Sequence, residues 1–147
     1  MIAELIEVVR IGDQRTAQQD LLFAIDELVE VAARALSPGV NDPFTAIACI
    51  DWLGAALTEL DRCPAPRDRI IDQDGTVRIM LQPLRFEDYL SAAFGQMRSY
   101  VATDPNARTR ALATLAGLAD SASNEQRRAL IESERARLTE MVIDAIA

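Results

Sequence analysis

Asn41, Asp42 and Thr45 are the residues of this sequence best placed to do chemistry. They lie in Ser37-Pro38-Gly39-Val40-Asn41-Asp42-Pro43-Phe44-Thr45-Ala46, between two long apolar-periodic segments. They therefore stand where one helix ends and the next begins. A helix N-terminus offers unpaired N–H groups and partial positive charge, which favour anions. Asp42 would oppose an anion there and suits a cation better. The same residues also answer backbone demands. Gly39 can take a left-handed conformation that closes the preceding helix. Asp42 can cap the following one, with Pro43 in its first turn where no amide hydrogen is needed.

Other chemistry is less well provided for. Asp20, Asp26, Glu27 and Glu30 supply carboxylates of the kind that hold metals, but helical periodicity puts Glu27 and Glu30 on the solvated face. No metal site is expected. Asp72 and Asp74 beside Gly75 lack the twelve-residue ligand spacing of a calcium loop and read better as a hairpin turn. The chain has no His, which removes a Ser-His-Asp triad, a Cys-His pair and the usual catalytic zinc sites within one chain. Carboxylates and Arg can still serve a His-independent hydrolase or transferase where two environments split their pKa values. Nothing in the sequence fixes such a pair, and no cofactor is expected.

Composition narrows the classes further. The 147 residues suit one domain, half of them apolar, with a formal net charge of −8. That charge argues against a nucleic-acid-binding body, which needs clustered cations, and disfavours docking on anionic lipid. All fifteen basic residues are Arg. Cys49 and Cys63 fall on one expected helix, where fourteen residues rise about 21 Å, too far for a disulfide. A reducing compartment follows, with both thiols buried and inert. No apolar run approaches the roughly 18–20 residues of a membrane span. The N-terminus has no basic region followed by an apolar core, so it is not a signal peptide.

The elements that must position these residues follow from periodicity. Met1 to Ile11 is a short apolar lead, helix or strand, ended by Gly12. Thr16 and Gln19 have capping-box spacing and open a first helix to about Leu36, with Leu21, Ile25, Leu28, Ala32 and Ala35 on one stripe. A second helix runs from Pro43 to about Arg62, inward at Ile47, Ile50, Leu53, Leu57 and Leu60. Trp52 lies at the edge of that stripe, where its ring can pack. Pro64 and Pro66 stop it. Two β-branched runs around Gln73-Asp74-Gly75 predict a small hairpin. A third helix spans about Phe86 to Ala102, facing inward at Phe86, Leu90, Ala93, Phe94, Met97 and Val101. Asp104-Pro105 opens a fourth carrying Ala111, Leu112, Leu115, Leu118 and Ala119. Ser123 with Gln126 opens a fifth carrying Leu130, Ile131, Leu138, Met141, Val142 and Ala145. The expected fold is a single mainly α domain over 1–147, a bundle of about five helices with one β-hairpin between the second and third.

Arg15-Thr16, Gln19-Asp20, Phe23 and Leu28, then Ala35-Leu36 and the whole run Ser37 to Ala46, resemble the signature of a family of predicted bacterial membrane proteins, domain of unknown function 2254. The likeness continues more weakly through Asp51, Leu53, Asp74-Gly75 and Phe86-Glu87-Asp88, over about two-thirds of the chain. In that family several membrane helices precede a soluble C-terminal portion, and no activity is established. The chain looks like the soluble portion alone. The resemblance implies a place at the cytoplasmic face of a bacterial inner membrane, with the N-terminal membrane region of the same protein as a partner.

The resemblance also adds Arg15, Thr16 and Asp20 to Asn41, Asp42 and Thr45 as candidate ligand-binding residues. If the first two helices form an antiparallel hairpin, Asp20 lies ~24 Å before the turn, beside the Leu57 to Arg62 end of the second helix. The two groups then form separate structural corners, or one site shared across a symmetric dimer. Arg15 and Asp20 alternatively make an ion pair across one helical turn. The functional expectation is a non-enzymatic assembly or regulatory domain and a homo-oligomer, since both stripes exceed what a two-helix contact covers. The alternatives are a small-ligand or ion-binding sensor module at the Asn41-Asp42 corner and the His-independent enzyme.

Overall fold

The computed structural model describes residues 16–17 and 20–146, with side-chain surroundings as far as Met141. The apolar lead 1–11, Gly12, Arg15, Gln19 and the side chains of Val142 and Ala145 lie outside the described residues.

The order is α1 (Leu21–Ala35), α2 (Pro43–Arg62), β1 (Arg69–Ile71), β2 (Val77–Met80), α3 (Phe86–Leu90), a π-helical turn (Ser91–Gly95), α4 (Arg98–Thr103), α5 (Pro105–Asp120) and α6 (Glu125–Ile146). The expected mainly helical bundle with one inserted hairpin is what forms. α2 sits in the middle, packed against α1 on one side and α5 on the other, while α6 covers α5 and α4. Its length and apolarity would suffice to cross a membrane, but Ala46, Cys49, Ile50, Leu53, Gly54 and Leu57 are buried in the bundle. Burial covers about a third of that apolar stretch, and the rest of the helix, Phe44 and Trp52 included, is not enclosed by the bundle. Ile25, Val29, Ile50, Leu53, Leu57, Met97, Val101, Leu115, Ile131 and Leu138 complete the shared core.

α2 and α5 approach closely at Gly54. A Cβ there would fall inside van der Waals contact of Thr114 Cγ2, so the glycine is a packing requirement.

Several local expectations are corrected. α1 begins at Leu21, not Thr16. Asp20 is its cap, accepting the Phe23 amide at 3.1 Å, because a carboxylate nearer the apolar stripe supplies what the Thr16 box was expected to supply. The left-handed residue of the α1–α2 turn is Asn41, with φ 49°, not Gly39. The Val40 and Asn41 amides both bond the Ser37 carbonyl, and the Asp42 amide returns to Ala35 O at 2.8 Å. The reversal therefore completes two residues later than expected, at a side chain that tolerates it. Asn124, not Ser123, caps α6 by accepting the Arg127 amide at 2.9 Å; Ser123 is engaged elsewhere. The third helix breaks into α3, the π turn and α4, with Gly95 and a bend at Gln96-Met97 interrupting the α-helical ladder. Its expected inward residues are nevertheless buried. Trp52 does not pack: it is 69% exposed. Cys63 is exposed rather than buried, whereas Cys49 is buried; both are free thiols.

The hairpin stands where Asp74-Gly75 predicted it. Gly75 has φ 79°, and Asp72 Oδ1 accepts the Asp74 and Thr76 amides at 2.9 Å each. These bonds hold the Asp72 carboxyl below the usual aspartate range, the Thr76 amide foremost, with Arg78 adding to it. Ile70 pairs with Ile79 and Arg69 with Met80, and every strand residue is exposed.

Candidate functional site

The turn between α1 and α2 brings Asn41, Asp42 and Thr45 together. Asp42 Oδ1 accepts the Thr45 amide at 3.2 Å, and Thr45 Oγ1 donates to Asp42 Oδ2 at 2.5 Å. Both carboxylate oxygens are thus engaged at the first turn of α2. The Thr45 hydroxyl, then the Thr45 and Phe44 amides, hold the Asp42 carboxyl below the usual range. Asn41 is exposed, and its place follows from its left-handed backbone.

The other candidates are elsewhere. Arg15 lies outside the described residues. Thr16 is exposed, and its carbonyl accepts the Asp20 amide at 2.9 Å. Asp20 caps the opposite end of α1, a helix of fifteen residues and so about 22 Å long. The two halves do not converge within one chain. The Tyr89 pKa in α3 is raised by burial first, then by the charges of Asp20 and Asp88.

Just past the corner, Pro43, Phe44 and Ile47 of α2 and Asn106, Thr109, Arg110 and Ala113 of α5 line an open, mainly apolar depression of about 480 Å³. Arg110, on its rim, donates Nε to Asp51 Oδ1 in a solvent-exposed pair, and that bond raises the Arg110 pKa. Among the described residues, Asp42, Asp68 and Asp72 are the carboxylates held below their usual range, each by donors already bonded to it. A general acid requires displacement in the opposite direction.

The family is decided by most of the sequence, not by the corner alone. A family described as predicted membrane protein, domain of unknown function 2254, matches residues 1–117. The chain belongs to that family. The match runs into α5, beyond the two-thirds that the signature residues suggested, and leaves α6 outside it. An uncharacterised protein of Mycobacterium bovis and two of Mycobacterium tuberculosis are each 34% identical over 126 residues, which is 86% of this chain and 24% of theirs. This member of the domain of unknown function 2254 family thus spans about a quarter of the length of the curated relatives it matches. No solved structure matches it.

The most constrained polar groups of this family member were not singled out by sequence reasoning. Asp61 is 6% exposed in the last turn of α2. It accepts the Ser123 amide at 2.7 Å and the Ser123 hydroxyl at 3.1 Å. Arg127 approaches Asp61 Oδ1 at 3.3 Å, donates to the Asp61 carbonyl, and reaches Cys63 O at 3.3 Å. Its guanidinium lies 5.2 Å from the Phe86 ring centroid, a cation–π distance. A second tie joins Arg98 to Glu134, 4% exposed, through Nε at 2.9 Å and Nη2 at 2.7 Å. Periodicity carried a signal for both. Asp61 lies four residues after Leu57, and Glu134 lies three after Ile131, so each carboxylate falls in register with a buried stripe.

Proposed function

We propose that this chain is a non-enzymatic assembly domain within a larger membrane protein, and that the outer face of α2 is its contact surface. The observation that carries this reading is the exposure of Phe44, 82%, and Trp52, 69%. They lie eight residues apart with exposed Ala48 between them, so one helical face presents all three. Large aromatics on a surface are what interface centres are enriched in, and a helix already central to the bundle has no internal use for them. The chain covers 24% of the relatives' length, which leaves most of such a protein to act as a partner beside further copies. The exposed free thiol of Cys63 suits a reducing compartment, hence the cytoplasmic face of the membrane.

Sedimentation velocity of the full chain should show a concentration-dependent oligomer, and Phe44→Asp with Trp52→Asp should leave a folded monomer. A strict monomer at every concentration, with the parent and double variant indistinguishable, overturns the proposal.

The depression beside Phe44 favours a second reading, a small-ligand module next to the Asn41-Asp42 corner. Ligand binding stabilises by mass action. Thermal-shift screening with nucleotides, divalent ions and small anions should then find a ligand whose effect disappears in Arg110→Ala, and a flat screen removes this reading.

A further inference from the structure

α2 carries a second stripe on its outer side. Phe44, Ala48, Asp51, Ala55, Thr58 and Arg62 follow one another at alternating intervals of four and three residues, the repeat by which one helix lies along another. Phe44, Ala48, Ala55 and Arg62 are exposed, and Asp51 and Thr58 partly so. Ala46, Ile50, Leu53 and Leu57 form the buried stripe on the opposite side. Trp52 stands beside the outer stripe, one helical turn from Ala48 and Ala55. Towards α5 the stripe is bordered by Ala113 and Gly117, which share a shallow groove with Asp51 and Ala55 and leave room for a further helix.

We infer that the occupant of this stripe is α2 of a second copy, running antiparallel about a two-fold axis near Leu53. The inference rests on the assembly reading of α2 and names its partner and geometry. Phe44 of each chain then lies beside Arg62 of the other, Ala48 beside Thr58, and Asp51 beside Ala55. Charge selects this arrangement. In a parallel two-fold pair every stripe residue meets its own copy, so Asp51 faces Asp51 and Arg62 faces Arg62, and like charges at that distance repel. Turned antiparallel, the exposed Arg62 guanidinium meets the exposed Phe44 ring, a cation–π pairing. The positive end of each helix also meets the negative end of the other. Arg110 of the same chain neutralises Asp51, so the middle of the stripe presents no net charge, despite the −8 of the whole chain. Extent agrees as well. This register overlaps α2 along all its 20 residues, about 30 Å, and lays Trp52 of one copy over Ala55 of the other.

Oxidative cross-linking of the full chain, in a Cys63→Ser background, tests the geometry. An equimolar mixture of Ala48→Cys and Thr58→Cys chains should form the mixed disulfide, because facing positions bring α-carbons within the ~7 Å that a disulfide spans. Neither variant alone should cross-link, since each cysteine and its own copy lie ten residues apart along the helices, about 15 Å. Arg62→Gln should weaken association about tenfold in sedimentation, the effect of losing two cation–π contacts, and should weaken it no further in a Phe44→Leu chain. Ala48→Cys chains that cross-link with themselves overturn the inference, as does an associating mixture that gives no disulfide. In either case the α2 surface still stands if Phe44→Asp with Trp52→Asp abolishes association. A parent chain that stays monomeric overturns both.

Discussion

α2 carries an aspartate at each end, and the two ends are built on opposite principles. Asp42 is a local device. Its partners lie within three residues, its carboxylate does what the preceding turn and the following proline prepare for, and it stays near solvent beside exposed Phe44. Asp61 is a long-range device. A carboxylate in a last turn opposes the helix dipole, yet it is buried, because Ser123 and Arg127 arrive from more than sixty residues away. The domain is therefore tied shut at one end and left open at the other. The closed end holds α2, α3 and α6 together; the open end has aromatic surface to offer a partner.

Mutations at the closed end should have the largest effect. Asp61→Ala strands a half-buried Arg127 and orphans the Ser123 amide, which should destabilise by about 3–5 kcal/mol in urea unfolding. Asp61→Ala with Arg127→Met should lose clearly less than the two single changes summed. Additive losses would show that the pair does not act as a unit. Midway along the helix, Gly54→Ala should destabilise by about 1–3 kcal/mol through overpacking against Thr114. Thr114→Ser, which removes the obstructing methyl, should recover most of it; failure to recover would mean that backbone strain at residue 54, not the methyl, sets the loss.

At the open end the expected effect is smaller. Asp42→Ala should lower Tm by a few degrees through the lost cap, and Asp42→Asn should recover most of that. The pH dependence sharpens the contrast. Because the folded Asp42 pKa is depressed, its contribution is fully present above the ordinary aspartate range and is lost as pH falls through the depressed value. An acid-unfolding profile of Asp42→Asn should lack that component. If the profiles of the parent and of the Asp42→Asn variant coincide below pH about 4, the cap assignment fails. Smallest of all is Arg110→Ala. Its pair with Asp51 is exposed, so the Tm change should be slight and shrink further in salt.

The legible parts of the structure share a property: each depends on neighbours in sequence. Asp42-Pro43 and Asp104-Pro105 cap helices, and Asp74-Gly75 turns a hairpin, because these residue types satisfy backbone groups within a few positions. The misplacements were local too. Asp20 displaced the Thr16 box, Asn41 took the left-handed step assigned to Gly39, and Asn124 replaced Ser123. In each case two chemically competent residues stood close together, and only the assembled turn could choose. Asp61, Arg127, Arg98 and Glu134 could not be assigned as pairs from spacing, since the partners of each lie on different elements.

By itself the sequence determined the long helices, the hairpin and the apolar stripes, because periodicity and turn chemistry act over a few residues. It also determined the family, since a long signature around Ser37 to Ala46 is a property of order alone. Tertiary structure decided that Trp52 faces outward and that Asp61 and Glu134 are buried. Those outcomes depend on which helix lies against which, and helices pack by the shape of whole faces.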